Sequence, residues 1–299
     1  MNVKVFCVGL LLAAAGCSAP IQHQQPVELP ARGKFQIGLG MGLAASSSAL
    51  DILDLGKTKA KQIAGQQLDC KAADRSDCLP ATELREVVDA LYGAGMSSPL
   101  AFVTSIGGTY GLTDRIAVGA SYGAGVKAQV LYQVADGGPK RTGWQSSVAL
   151  GWSQQSTSAP GFLGELQDLL LLDDFGRHNG HLSVALGKRL GQFGWAQFGG
   201  QYVLSRYTVD LRPGLPILDD LGVANQVETI LVDRLPKTAE SGWSHHAGAF
   251  ASIWGGYKYA WLGLELAAAW YTTSVLVLGK ETTYSGVAIS PSLNLMTRF

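Results

Sequence analysis

Four histidines, His178, His181, His245 and His246, and the carboxylates Asp173, Asp174 and Glu265 could do acid–base chemistry in this chain. A hydrolase needs one imidazole held against a hydroxyl and an acid, so that the imidazole can take the proton as the new bond forms. The spacing supplies little of this. His245 and His246 are adjacent, so on a strand they face opposite ways and only one can look into an interior. His245 is expected to be that one. No nucleophile motif surrounds a serine, and the glycine pairs sit in strand-like stretches rather than before helices, which excludes a phosphate loop. The chain is therefore expected not to be an enzyme. A lipid or peptide hydrolase is carried only as an alternative, and no cofactor is implied. His181 and His245 are read instead as polar residues of an interior, with Arg115, Lys127, Gln129 and Glu265. A lone buried charge is costly, so Glu265 should meet Lys127, Arg115 or Arg189.

The cysteines point to an exported protein. In "MNVKVFCVGLLLAAAGCSAP", Lys4 precedes an apolar run from Val5 to Ala15 that is too short to span a membrane permanently, and small residues follow it. That is the pattern of a secretory signal, covering 1–16. Cys7 leaves with the signal. In an oxidising compartment Cys70 and Cys78 are expected to form a disulfide, worth about 2.5 kcal/mol for so short a loop. A metal site is the alternative, but no further His or Cys lies nearby to complete four ligands, and none is expected. The stretch "LLAAAGCS" resembles the lipobox of bacterial lipoproteins. That resemblance implies that Cys17 is lipidated and that 17–33 is a tail or linker. Ala14 departs from the usual Leu, and cleavage after Ala15 by an ordinary signal peptidase is the alternative. With 23 basic and 23 acidic residues in the full chain, nothing speaks for nucleic acid.

The elements that must position these residues show in the placement of charge. Eighteen of the 23 acidic residues fall in 51–98, 157–178 and 210–240. Between those segments the chain alternates with period two. Phe35, Ile37, Leu39, Met41 and Leu43 oppose Gln36, Gly38, Gly40 and Gly42. Val126, Val130, Tyr132 and Val134 oppose Lys127, Gln129 and Gln133. Leu262, Leu264, Leu266 and Trp270 oppose Gly263 and Glu265. A soluble sandwich would put charges on its outward faces. Here that face is apolar, as lipid contact requires. Ten such runs of about ten residues are expected from 34 to 299, with eight or twelve as alternatives. Counting ten crossings puts the long segments 48–98, 156–179 and 210–242 on one side and both termini on the other. The fold class expected is an all-β antiparallel transmembrane barrel.

The phrase "TYGLTDRIAVGASYG" and the ending "SGVAISPSLNLMTRF" resemble those of small Gram-negative outer-membrane β-barrel proteins. The last strand, with Phe299 terminal and Leu295 and Leu293 at alternate positions, is similar to their assembly signal. Thr297 departs from the large apolar residue usual there. The resemblance implies residence in the outer membrane, contact with its lipid and with the barrel-assembly machinery, a periplasmic N-terminus held by its lipid, and external long segments. Helical stripes through Leu84, Val87 and Leu91, through Phe162, Leu166 and Leu169, and through Val227, Ile230 and Leu231 predict short helices in those segments. They are expected to pack as a cap, with a plug or a partner-binding surface as the alternative, and 48–98 and 210–242 are where an external ligand or protein partner would meet the chain. A structural or surface-binding barrel is the function expected. A narrow porin-like passive pore is the alternative.

Overall fold

The alternating runs form ten strands. They are β1 (Phe35–Ser46), β2 (Ala101–Gly111), β3 (Ile116–Tyr122), β4 (Val126–Asp136), β5 (Trp144–Ser156), β6 (Leu172–Arg189), β7 (Gly194–Leu211), β8 (Glu240–Tyr257), β9 (Ala260–Val277) and β10 (Lys280–Arg298). The structure is a computed structural model, and it describes residues 27–47, 101–123, 125–138, 142–156, 172–211, 240–277 and 280–299. Each strand pairs antiparallel with its neighbours in sequence, and β1 pairs with β10 to close the barrel. Closure leaves no sheet edge with unpaired backbone groups. The β1–β10 seam runs from Gln36 opposite Arg298 to Gly42 opposite Ser292, then resumes at Ala45 opposite Ile289. The gap falls at Pro291, which has no N–H to donate.

The two halves of the barrel differ in height. β1 to β5 have 7 to 13 residues, whereas β6 to β10 have 18 or 19. This departs from the uniform length of about ten read from the sequence. β6 starts at Leu172, inside the segment expected as loop 156–179, and β8 starts at Glu240, inside 210–242. Acidic residues marked these stretches as loops, but a strand that continues past an apolar belt can carry charge. The expected helices, the Cys70–Cys78 bridge, Cys17 and the rest of the long segments lie outside the described residues.

The connections 112–115, 190–193 and 258–259 share one end with both described termini, whereas the short β3–β4 and β9–β10 connections lie at the other end with the long segments. Gly191 and Lys258 take positive φ in two of these turns. We call this the termini end and the other the far end. Outward positions are apolar along the strands, including Leu39, Val130, Leu150, Val184, Phe198, Leu264 and Leu293, all exposed. Most inward positions are small or polar, with large aromatic side chains such as Trp195, Trp254 and Phe250 filling part of the interior.

Candidate functional site in the barrel lumen

The termini end is filled by the chain's own N-terminal segment. Val27, Glu28 and Leu29 are buried within it, and Gly33 N–H bonds the Gly111 carbonyl at 2.8 Å. The backbone N–H of Val27 donates to Gln197 Oε1 at 2.5 Å, and that of Leu29 to Gln133 Oε1 at 3.1 Å. Val27 packs with Ala185, Phe250 and Ala267, while Leu29 packs with Ala117 and Leu131. The fit depends on Gly187, where a Cβ would come within 2.6 Å of Val27 Cγ1. The last part of the expected linker 17–33 is thus a plug that crosses the mouth.

Glu28 fixes this plug by charge. Arg189 on β6 donates to both its carboxylate oxygens, at 2.7 and 2.8 Å through Nη2 and at 3.1 Å through Nε. Arg298 on β10 lies 3.4 Å from Oε2 and donates to the Glu28 carbonyl at 3.3 Å. The Arg298 guanidinium also stands 4.9 Å from the centre of the Trp195 ring. Trp195, Trp254 and Trp261 form a buried inward cluster, with Trp195 and Trp261 centred 4.4 Å apart. Trp254 occupies the space that a Cβ at Gly263 would need, 2.5 Å from its ring.

Towards the far end the filling is a network of side-chain hydrogen bonds. Ser153 Oγ lies 2.7 Å from His181 Nε2 and accepts from Asn179 Nδ2 at 2.9 Å. Ser205 donates to Asn179 Oδ1 at 2.7 Å and accepts from Arg177 at 3.2 Å. Ser244 bonds Thr273 at 2.8 Å, and His246 stacks on Tyr271 with ring centres 5.7 Å apart. All of these side chains are buried. Cross-strand register places them in one band: Lys127 faces Ser153, Ser153 faces Asn179, and Asn179 faces Ser205.

The residues expected to face the interior are distributed as follows. Gln129, His181 and Glu265 are buried inside, and Lys127 is inward and within electrostatic reach of Glu265. Two expectations are corrected. Arg115 is exposed in the β2–β3 turn, because β3 begins one residue later. His245 is exposed on the outer wall, and His246 is the inward one. Small residues on both faces of β8 left its parity open in the sequence. Trp254 and Phe250 settle it by filling the lumen. Arg189 meets Glu28 rather than Glu265. Leu293, Leu295 and Phe299 all lie on the outer surface. Sequence reading missed the plug, although two inward arginines at one end, Arg189 and Arg298, were a signal that a carboxylate was owed there.

Ser153 and His181 have the separation of a nucleophile and its base. The charged neighbours of His181 are Lys127 and Arg177. A hydrolytic histidine instead takes its orientation from a carboxylate or amide. Among the described residues no group of three or more His, Cys, Asp or Glu is placed to hold a metal ion.

No family model matches the chain, and no curated protein sequence matches it. Several solved structures do. Neisserial surface protein A is 11% identical with a TM-score of 0.32, over 90% of this chain and 100% of that one. The outer membrane protein OprG from Pseudomonas aeruginosa is 9% identical with a TM-score of 0.36, over 92% and 99%. A major outer membrane protein from Thermus thermophilus is 10% identical with a TM-score of 0.34, over 89% and 99%.

Proposed function

We propose that the chain is a closed, non-catalytic barrel of a Gram-negative outer membrane, acting through its wall and its external segments. The observation that carries this reading is an uncharged outer belt around a plugged and filled lumen. On β6 the outward residues between His178 and Lys188 are Gly180, Leu182, Val184 and Leu186. Ten residues of strand rise about 33 Å, or about 25 Å when tilted near 40°, which is the height of the apolar band of a membrane barrel. Trp152, Tyr202, Trp243 and Trp270 ring the far edge of the belt, and Trp144, Phe193, Tyr257 and Tyr259 ring the near edge. Such aromatic girdles sit at lipid–water boundaries.

Long loops belong to the external side of such barrels, and all three long segments leave the far end. The termini end is therefore the periplasmic one, and the long segments are external. On this reading the lipid on Cys17 tethers the start of the plug to the inner leaflet, and the last strand, ending in Phe299, is what the assembly machinery engages. A ligand or protein partner would meet 48–98 and 210–242.

The narrow pore is the second reading, favoured by the polar lining of the lumen beyond the plug. Planar-bilayer recording separates the two. The purified full chain should show no steady unitary current. A stable ohmic step from the wild-type protein would replace the closed-barrel reading with the pore.

A further inference from the structure

The lipid-facing wall carries few ionisable groups, and their placement is uneven. At the far edge of the belt, among the described residues, three occur on three consecutive strands: His178 on β6, Arg206 on β7 and His245 on β8. His178 is the cross-strand partner of Arg206, and Arg206 is the partner of Trp243. His178 and Arg206 are directly opposite, with Cβ atoms about 5 Å apart, and His245, opposite Leu204, is the diagonal neighbour of Arg206, about 7–8 Å away, so the three share one patch. On the remaining strands this level is occupied by neutral residues such as Gln154, Thr272 and Ser285.

The patch is held in place by aromatic neighbours. The Arg206 guanidinium stands 5.7 Å from the centre of the Trp243 ring. The His178 ring stacks on Trp152 with centres 5.9 Å apart. Tyr202 Oη lies 2.6 Å from His245 Nδ1. When the phenol donates in that bond, Nε2 carries the imidazole proton and is a donor towards the lipid. A guanidinium is tolerated at a lipid boundary, where it reaches the headgroup level, and its planar fork matches a phosphate with two parallel bonds. The chemistry at this level thus asks for phosphate next to acyl chains.

The height of the wall selects the headgroup. Beyond His178, β6 continues for six residues, and β7 to β10 continue with it. That is about 20 Å of strand, or about 15 Å of height. A phospholipid headgroup ends at the level of Arg206. A headgroup of several phosphorylated sugars would lie against the raised wall.

We infer that the β6–β8 wall binds a phosphorylated glycolipid of the outer leaflet, with Arg206 holding a phosphate and His178 and His245 flanking it. This rests on the orientation proposed above. The test uses the full chain in detergent, with native mass spectrometry of retained lipid. The probes are bisphosphorylated lipid A, the same lipid A with its phosphates removed, and phosphatidylglycerol. Bisphosphorylated lipid A should be retained in preference to both others. Arg206→Gln should weaken it about tenfold, the effect of one charge-assisted bond. Lys188→Gln, at the opposite edge of β6, should change nothing. The double variant His178→Gln, His245→Gln provides a second reading should Arg206→Gln not assemble. Equal retention of dephosphorylated lipid A, or wild-type retention by Arg206→Gln, would overturn the site. Preference for phosphatidylglycerol would overturn the glycolipid. An epitope after Ala224 keeps failure of the orientation separate. Surface labelling without lipid A preference rejects the site alone, and loss of surface labelling rejects the orientation.

Discussion

The two ends of the lumen are filled by different means. At the termini end the filling is a piece of main chain, Val27–Leu29, locked by one carboxylate between two arginines and backed by three tryptophans. At the far end it is side chains alone, short hydroxyls and amides that bond across neighbouring strands. The first arrangement joins residues far apart in sequence, Glu28 with Arg298 and Val27 with Gln197. The second joins residues that the strand register already places side by side. The difference teaches that alternation suffices to build the polar wall of this barrel, whereas closing its mouth takes an element that does not alternate at all.

Breaking the termini end should cost more than breaking the far end. Trp254→Ala removes a ring that stacks on Trp195 in the tryptophan cluster from a fully buried site. A loss of about 3–5 kcal/mol is expected. It would show in urea titration of the barrel's heat-dependent gel mobility. Glu28→Ala leaves Arg189 and Arg298 facing each other without their counter-charge. Removing one partner of a buried ion pair costs about 3–5 kcal/mol, but the Arg189 side chain is 32% exposed, so water reduces the expected loss to about 2 kcal/mol. The same variant should let protease cleave near Arg32 in folded protein, where wild type resists.

At the far end Asn179→Ala deletes one donor and one acceptor, to Ser153 and from Ser205. Both hydroxyls can turn to other neighbours, so about 1 kcal/mol is expected on the same titration. A loss as large as that of Trp254→Ala would mean that the far-end network, not the plugged mouth, dominates stability.

The sequence made the wall legible and left the plug hidden, for one physical reason. Leu262, Leu264, Leu266 and Glu265 carry their orientation in their own period, and the structure places them out, out, out and in. The segment from Val27 to Gly33 has no period, so its burial is decided by partners spread from β2 to β10 that only the closed barrel assembles. His245 failed for a related reason: with Ala247, Ala249 and Ala251 following it, β8 is weakly patterned, and packing of Phe250 and Trp254 chose its parity. Arg115 failed because β3 begins at Ile116, which leaves Arg115 in the turn, where alternation no longer sets the side.

On the proposed reading the two ends lie on opposite sides of a membrane. An epitope inserted after Ala224, in the long segment between β7 and β8, reports one end, and an epitope at Asp114, in the β2–β3 turn, reports the other. A strand cannot stop within the bilayer without leaving backbone groups unpaired at several kcal/mol each, so every crossing must change sides. Antibody should label the Ala224 insertion on intact cells and the Asp114 insertion only after the outer membrane is opened. Labelling of the Asp114 site on intact cells, or protection of the Ala224 site, would contradict the account.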